Sequence, residues 1–161
     1  MTNEEQKNRF QPVGRVKVVQ GSIVQPQNAG LRFILNVANM AGKMESPLYP
    51  LFEKKWPKVK QEVRGSFVTK TGKYQLGSLA NSLAVQSDVW VLSMLCQDEQ
   101  LKTDVAALEK CLKEVCKMAK YEPASVHVST LLTDAIPELQ GLLTQELVNH
   151  GVSVTFYEET K

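Results

Sequence analysis

Long apolar runs are missing from this chain of 161 residues, and no stretch approaches the roughly 20 consecutive apolar residues that a membrane span requires. That excludes a spanning helix and any partnership with the bilayer interior. Charge of one sign is also missing. Nineteen Lys and Arg against 17 Asp and Glu leave a net +2, too little to argue by itself for a nucleic-acid partner. Cysteine is sparse and odd in number: Cys96, Cys111 and Cys116, two of them within one amphipathic pattern. This excludes a disulfide framework and shows no zinc-ligand spacing, and it fits reduced thiols in a cytoplasmic setting. The first nine residues carry mixed charge with no apolar segment after them, which is neither a signal peptide nor an anchor. We expect residues 1–13 to form a flexible tail and residues 14–161 a single domain. With 43% hydrophobic and 22% charged residues, the chain has the composition and length to bury a core without metal or disulfide. Repeats, low-complexity tracts and linker-like segments are absent.

What is present is an alternation of strand and helix patterns. Residues 16–19 alternate and stop at Gly21, and residues 32–38 follow a turn-rich segment, Pro26-Gln27-Asn28-Ala29-Gly30. Both read as internal strands. Residues 89–95 are nearly continuously apolar, as for a strand covered on both faces, and we place them at the sheet centre. Leu48, Leu51, Phe52, Trp56 and Val59 have helical spacing, limited by Pro50 and Pro57. Residues 66–70 and 73–76 flank Thr71-Gly72 and predict a hairpin. Val105, Leu108, Leu112, Val115 and Ala119 mark a helix capped by Thr103. Ile136, Leu139, Leu143 and Leu147 mark another that ends near His150-Gly151, before a last strand over residues 152–157.

Two segments carry the chemistry. The run Phe33-Ile34-Leu35-Asn36-Val37-Ala38-Asn39 stops at an asparagine, and a short polar loop leads from it to Ser46-Pro47. A Ser N-cap followed by Pro at the first helical position places backbone donors and a helix dipole beside the strand's carboxyl end, where open α/β sheets bind ligands. Val126-His127-Val128-Ser129-Thr130, running through Leu131-Leu132-Thr133 to Asp134, repeats the arrangement. Facing each other, the two loops would form a cleft for a phosphate-bearing ligand.

The order of elements, the first strand running into Gly21-Ser22-Ile23, the strand ending Asn36-Val37-Ala38-Asn39 and the final Val152-Ser153-Val154-Thr155-Phe156-Tyr157 together resemble a macro domain, the ADP-ribose-binding module, over residues 14–158. The resemblance implies a three-layer α/β/α fold with a mixed, mostly parallel sheet. It implies ADP-ribose or a related nucleotide as ligand, with no cofactor and no metal. It places Ser22 where the family's acid contacts the adenine amino group, with Ile23 beside it, and puts Gly42, Ser46, Ser129, Thr130 and Thr133 in the phosphate loops. In hydrolytic members an asparagine orients the ribose, and Asn39 matches that position.

The chain also departs from the family's glycine-rich loops. Residues 40–47 hold only Gly42, and residues 129–135 hold no glycine. If Asp134 is an N-cap, with Pro137 at the third helical position, its carboxylate lies where a phosphate would sit. Like charges about 4 Å apart repel by roughly 4 kcal/mol at an effective dielectric of about 20.

Three functions are consistent with these residues. The first is a divergent module that binds ADP-ribose weakly and without catalysis. The second is a macro fold that has lost its ligand and serves as a protein or nucleic-acid interaction module, with Lys54, Lys55 and Lys58 around Trp56 as the basic face. The third is an ADP-ribosyl hydrolase or ADP-ribose phosphatase using Asn39 and Asp134. Asn39 also has a structural reading, closure of its strand by an Asx turn. His127 reads as a satisfied sheet histidine, His150 as a helix-terminal one, and Cys96 as a thiol at the rim of the presumed cleft.

Overall fold

Uninterrupted aliphatic stretches make the backbone of this fold. In the computed structural model, which describes residues 13–69 and 74–159, they form strands buried on both faces. Strand β1 spans Val16–Gln20, β2 Leu31–Asn39, β3 Leu79–Gln86, β4 Val89–Gln97, β5 Ala124–Ser129 and β6 Val154–Glu158. The helices are α1 (Tyr49–Lys55), α2 (Lys58–Thr69), α3 (Val105–Tyr121), α4 (Thr130–Ala135) and α5 (Glu138–Glu146), with a 3-10 turn at Val148–His150. The six-stranded sheet has the order β1-β6-β5-β2-β4-β3, parallel throughout except for β3, which pairs antiparallel with β4. Helices cover both faces, giving a three-layer α/β/α fold with a mixed, mostly parallel sheet.

Side chains alternate across the sheet. Ile34, Asn36 and Ala38 of β2 lie beside Val91, Ser93 and Leu95 of β4 on one face, and there Val63 of α2 packs on Ala38 and Leu95. Helix α3 buries Leu108, Cys111, Leu112, Val115 and Ala119 along one side. Each fully buried Leu or Val of such a row stabilises by about 1.5–3 kcal/mol relative to exposure. Burial also pushes the Cys111 thiol up to about 12, so it packs as a small apolar group.

Several expectations are corrected by this architecture. Strand β1 is an edge strand among the described residues, not an internal one: there it pairs with β6 alone, and Val16 and Val18 remain more than half exposed. Strand β4 is buried as expected but lies second from the other edge, because apolar residues on both faces report covering layers and not lateral rank. The centre is β5 and β2. Residues 66–69 continue α2 instead of forming a hairpin arm. Val59 and Val63, one turn apart, anchor that helix in the core, and tertiary packing outweighs the strand preference of Phe67, Val68 and Thr69. The Thr71-Gly72 turn lies outside the described residues, as does the tail over residues 1–12. The helix expected over residues 136–147 is broken at Pro137, which has no N–H to donate: α4 closes with the Ile136 N–H on Leu132 O, and α5 starts afresh. Asp104, not Thr103, caps α3, its carboxylate accepting from the Ala107 N–H at 2.9 Å. Gly151, at φ +90°, ends the 3-10 turn before β6. Among the described residues no helix is long and apolar enough to cross a membrane.

His127 is wholly buried and anchors a polar chain that joins β5, β6 and the segment after β1. Its Nδ1 lies 2.7 Å from the Tyr157 hydroxyl and its Nε2 2.7 Å from Ser125 Oγ. The Gln27 N–H donates to the Tyr157 oxygen at 2.8 Å. Tyr157 therefore gives its own proton to Nδ1, and the neutral imidazole donates from Nε2 to Ser125. Burial, with a smaller contribution from Arg32, lowers the His127 pKa to about 4. An unfolded histidine takes up a proton near pH 6.5, so between that pH and 4 the unfolded state binds more protons and stability falls as the solution is acidified. Urea unfolding is expected to show a loss of about 2 kcal/mol between pH 7 and pH 5 from this residue, and His127→Gln should flatten that slope. An unchanged slope would show that His127 does not titrate in this way.

Candidate functional site

The connections of the two central strands leave in opposite directions. From β2 the chain passes through α1 and α2 to β3 and β4 on one side, and from β5 it passes through α4 and α5 to β6 on the other. Pairing between the two strands stops where Ile34 faces His127, so residues 35–39 run on beside β4 alone. In open α/β sheets such a switch point leaves a crevice at the carboxyl ends of the strands. Around it stand the turn Gly21-Ser22-Ile23 after β1, residues 40–48 after β2, Ser129 closing β5 and Glu159 following β6.

Asn39, 2% exposed, builds the first wall with its side chain. Its Oδ1 accepts from the Ala41 N–H at 3.1 Å and the Lys43 N–H at 3.0 Å, and its Nδ2 donates to Lys43 O at 2.8 Å. The amide is thus spent on folding the loop back over the strand end, as an Asx turn does. The Tyr74 hydroxyl donates to Asn39 O at 2.7 Å. Gly42 has φ +69°, and a Cβ there would lie 2.2 Å from the Phe67 ring of α2, so its missing side chain serves loop packing. Met40 and Met44 pack toward Ala38, Val63 and Leu95.

Ser46 does not cap a helix. Its hydroxyl donates to Asn36 Oδ1 at 2.6 Å and accepts from the Leu48 N–H at 3.2 Å, while Asn36 Nδ2 donates to Ser93 Oγ at 3.0 Å. Leu48 is the N-cap of α1, without a side-chain hydrogen bond, and Pro50 rather than Pro47 stands in the first turn. The physical reason is the buried Asn36: holding it fixes Ser46 in a turn ahead of the helix. The Tyr49 hydroxyl, also buried beside this group, has no partner at hydrogen-bonding geometry among the described residues, and burial raises its pKa.

The second wall begins sooner than expected. Ser129, fully buried, caps α4 directly, its Oγ accepting from the Leu131 N–H at 3.2 Å. Thr130 is therefore the first helical residue, and Thr133 Oγ1 donates to Thr130 O at 3.2 Å. Asp134 is not an N-cap; it lies near the carboxyl end of α4 and is exposed. With it goes the expected clash between that carboxylate and a phosphate. The acid at the crevice is one that sequence reasoning missed. Glu159 Oε1 accepts from the Ile23 N–H at 2.8 Å and lies 3.5 Å from Ser129 Oγ, linking the ends of β1, β5 and β6. Ser22, half-buried, turns its oxygen onto the Val24 N–H at 3.3 Å, and the Ile23 side chain is fully buried. A glutamate after the last strand gives no sequence signal beyond that of a polar chain end.

No family model and no curated protein matches this sequence. Solved structures do match in shape. A macrodomain protein from Streptomyces coelicolor superposes with a TM-score of 0.81 at 22% identity, over 89% of this chain and 99% of its own. This chain has the macrodomain fold. A protein from Bacteroides thetaiotaomicron gives 0.80 at 20% identity, over 91% of this chain and all of its own. DarTG of Thermosipho africanus, solved in complex with ADP-ribose, gives 0.67 at 14% identity over 89% of this chain, which spans 41% of the DarTG chain.

Within this macrodomain fold the remaining candidates lie away from the crevice. Cys96 is sealed in β4 and not at a rim, and burial holds its thiol far above the ordinary cysteine value. His150 borders a cavity of about 390 Å3 lined also by Ala119, Pro123, Ala124 and Gly151, at the amino ends of β5 and β6. Lys54, Lys55 and Lys58 are exposed around the end of α1, with the Lys55 ammonium 5.5 Å from the centre of the inward-packed Trp56 ring.

Asn39→Ala removes three loop hydrogen bonds and is expected to lower the unfolding free energy by about 2–3 kcal/mol in urea titration. Gly42→Ala should lower it by more than about 1 kcal/mol, from the positive φ and the contact with Phe67. Wild-type stability in both variants would mean that the loop is held by other contacts.

Proposed function

We propose that this chain is a nucleotide-binding module that takes ADP-ribose or a related nucleotide in the crevice at the carboxyl ends of β2 and β5, weakly and without turnover. The observation that carries the reading is the switch point itself, walled by residues 40–48 and Ser129, in a fold shared with a DarTG structure that holds ADP-ribose. Weakness follows from the loops. Ile23 has already given its N–H to Glu159, and the loop after β2 is pinned by Asn39 and Phe67 instead of standing open as a cradle of glycines.

The absence of turnover follows from the candidate chemical groups. The Asn39 amide is committed to Lys43, Asp134 is exposed toward the far end of α4, His127 is neutral and sealed among Ser125 and Tyr157, and the Cys96 thiol stays protonated. A nucleophile or general base must reach the ligand with its reacting atom free, and each of these groups is spent on the fold, sealed in the core or set away from the crevice. A nucleic-acid face at Lys54, Lys55 and Lys58 has less support, because Trp56 is packed inward and offers no ring for stacking.

Calorimetric titration with ADP-ribose tests the reading. A saturable heat with a Kd between about 10 μM and 1 mM is expected, the weak limit corresponding to about 4 kcal/mol. No heat at millimolar ligand would overturn it in favour of an interaction module. Release of ADP-ribose from modified protein, or of phosphate from phosphorylated ADP-ribose, would overturn the non-catalytic part.

A further inference from the structure

Strand β3 closes the described sheet on the β4 side, and its residues, Leu79-Ala80-Asn81-Ser82-Leu83-Ala84-Val85-Gln86, include no charge and no proline. Such residues commonly blunt a sheet edge, because a free row of N–H and C=O groups invites another strand. Here the register with β4 shifts between Leu79 and Asn81 and again between Ala84 and Gln86, so the ladder is irregular only at its two ends. Residues 81–84 run in regular register between these breaks. Among the described residues their outward backbone groups hydrogen-bond to no other element.

Ser82 and Leu83 point to opposite faces of the sheet, and each face holds a cavity beside the strand. On the α3 side the space is about 570 Å3, lined by Leu79, Ser82, Lys110, Lys113, Glu114 and Lys117. On the other side it is about 280 Å3, lined by Leu83, Val85, Trp56, Lys55 and Lys58. Spacing of three and four residues sets Lys110, Lys113 and Lys117 along one flank of α3, whereas Lys55 and Lys58 bracket the Trp56-Pro57 junction of α1 and α2. All of these lysines are exposed. Lys113 is paired with Glu109 at 3.2 Å, and Glu114 is the one acid in the two linings, while Lys55, Lys58, Lys110 and Lys117 make no ion pair among the described residues. The edge thus lies between two positively charged grooves. A chain laid along residues 81–84 in extended form would extend the ladder, and its side chains would alternate between those grooves. Positive charge on both faces calls for carboxylates there, and Leu79, Leu83 and Val85 accept short aliphatic groups between them. A nucleic-acid strand would meet the same lysines but has no use for the row of backbone groups, and Trp56, the one ring in the linings, is packed inward. We propose that β3 is a docking edge for a short, extended, acidic segment of another protein, which adds beside residues 81–84 with its carboxylates between the lysines of α3 and those of the α1–α2 junction. This surface needs no nucleotide in the crevice.

The test is fluorescence anisotropy of a labelled peptide of about eight residues built from Glu and Val, together with hydrogen exchange of the β3 amides by NMR on the full chain. Saturable binding with a Kd of about 100 μM is expected, weakened by salt, with about tenfold slower exchange of the outward amides among residues 81–84. Reversing the charge in pairs, Lys55→Glu with Lys58→Glu or Lys110→Glu with Lys117→Glu, should weaken binding about tenfold in each case, and the variant with all four changes should prefer a peptide built from Lys and Val. These side chains are exposed, and thermal unfolding checks that each variant is folded. The Glu and Val peptide with every amide N-methylated should lose binding to the wild type, since it brings the charge without the donors.

Equal binding of the N-methylated peptide, or of a single-stranded oligonucleotide of the same charge, with no slowing of exchange in β3, would make the lysines a general polyanion face and overturn strand addition. Slow exchange in β3 that grows with protein concentration in the absence of peptide would give the edge to a second copy of this chain and overturn the acidic partner. Binding that survives both charge-reversed pairs, or no anisotropy change at millimolar peptide, would overturn the proposal as well. None of these outcomes touches the nucleotide-binding reading, which calorimetry with ADP-ribose decides separately.

Discussion

When two neighbouring parallel strands send their helices to opposite sides, the chain cannot close over their carboxyl ends, and the polar groups gathered there have no layer to cover them. In this chain the parting begins where Ile34 faces His127. Below that level β5 and β2 are the continuous centre of the sheet. Above it the two central strands no longer pair with each other, and the local devices finish their separated ends. Asn39 folds its own loop, Ser129 starts a helix at once, and Glu159, directly after β6, ties that strand to the ends of β1 and β5.

These devices are made from groups that a ligand would otherwise use. An amide that satisfies two backbone N–H groups and one carbonyl is not free to orient a sugar, and a backbone N–H that already holds a carboxylate is not free to hold a phosphate. Rigidity and affinity compete for the same polar atoms. The buried trio Ser46, Asn36 and Ser93 shows the same economy, since it fixes the approach to α1 and leaves only the Tyr49 hydroxyl without a partner at hydrogen-bonding geometry among the described residues. What remains for recognition is shape, a few backbone groups and one negative charge.

Much of the frame was legible because burial writes itself into composition. The run ending at Asn39, the apolar β4, the striped face of α3 and the strand leading to Ser129 all read correctly as elements, since each must satisfy one period and one covering layer. The strand order was not legible from periodicity, which is why β1 read as internal and β4 as central. Strand β3 escaped because Asn81, Ser82 and Ala84 dilute its pattern at an edge where only part of each side chain is covered. At the site, Asp134 misled because Asp before a Pro-containing helical pattern is a common cap, whereas Ser129 had already started the helix. Glu159 escaped because its role exists only once β1, β5 and β6 lie side by side, a relation between distant parts of the chain that no local window contains.

Among the described residues strand β1 finds its one sheet partner in β6, the last element described. During synthesis its backbone must therefore wait for a partner until the other described strands have emerged. The loop closed by that pairing is the longest among the described strand pairings, and the entropy of closing it is recovered only by the final contact. Docking of β1 is thus a late step of assembly.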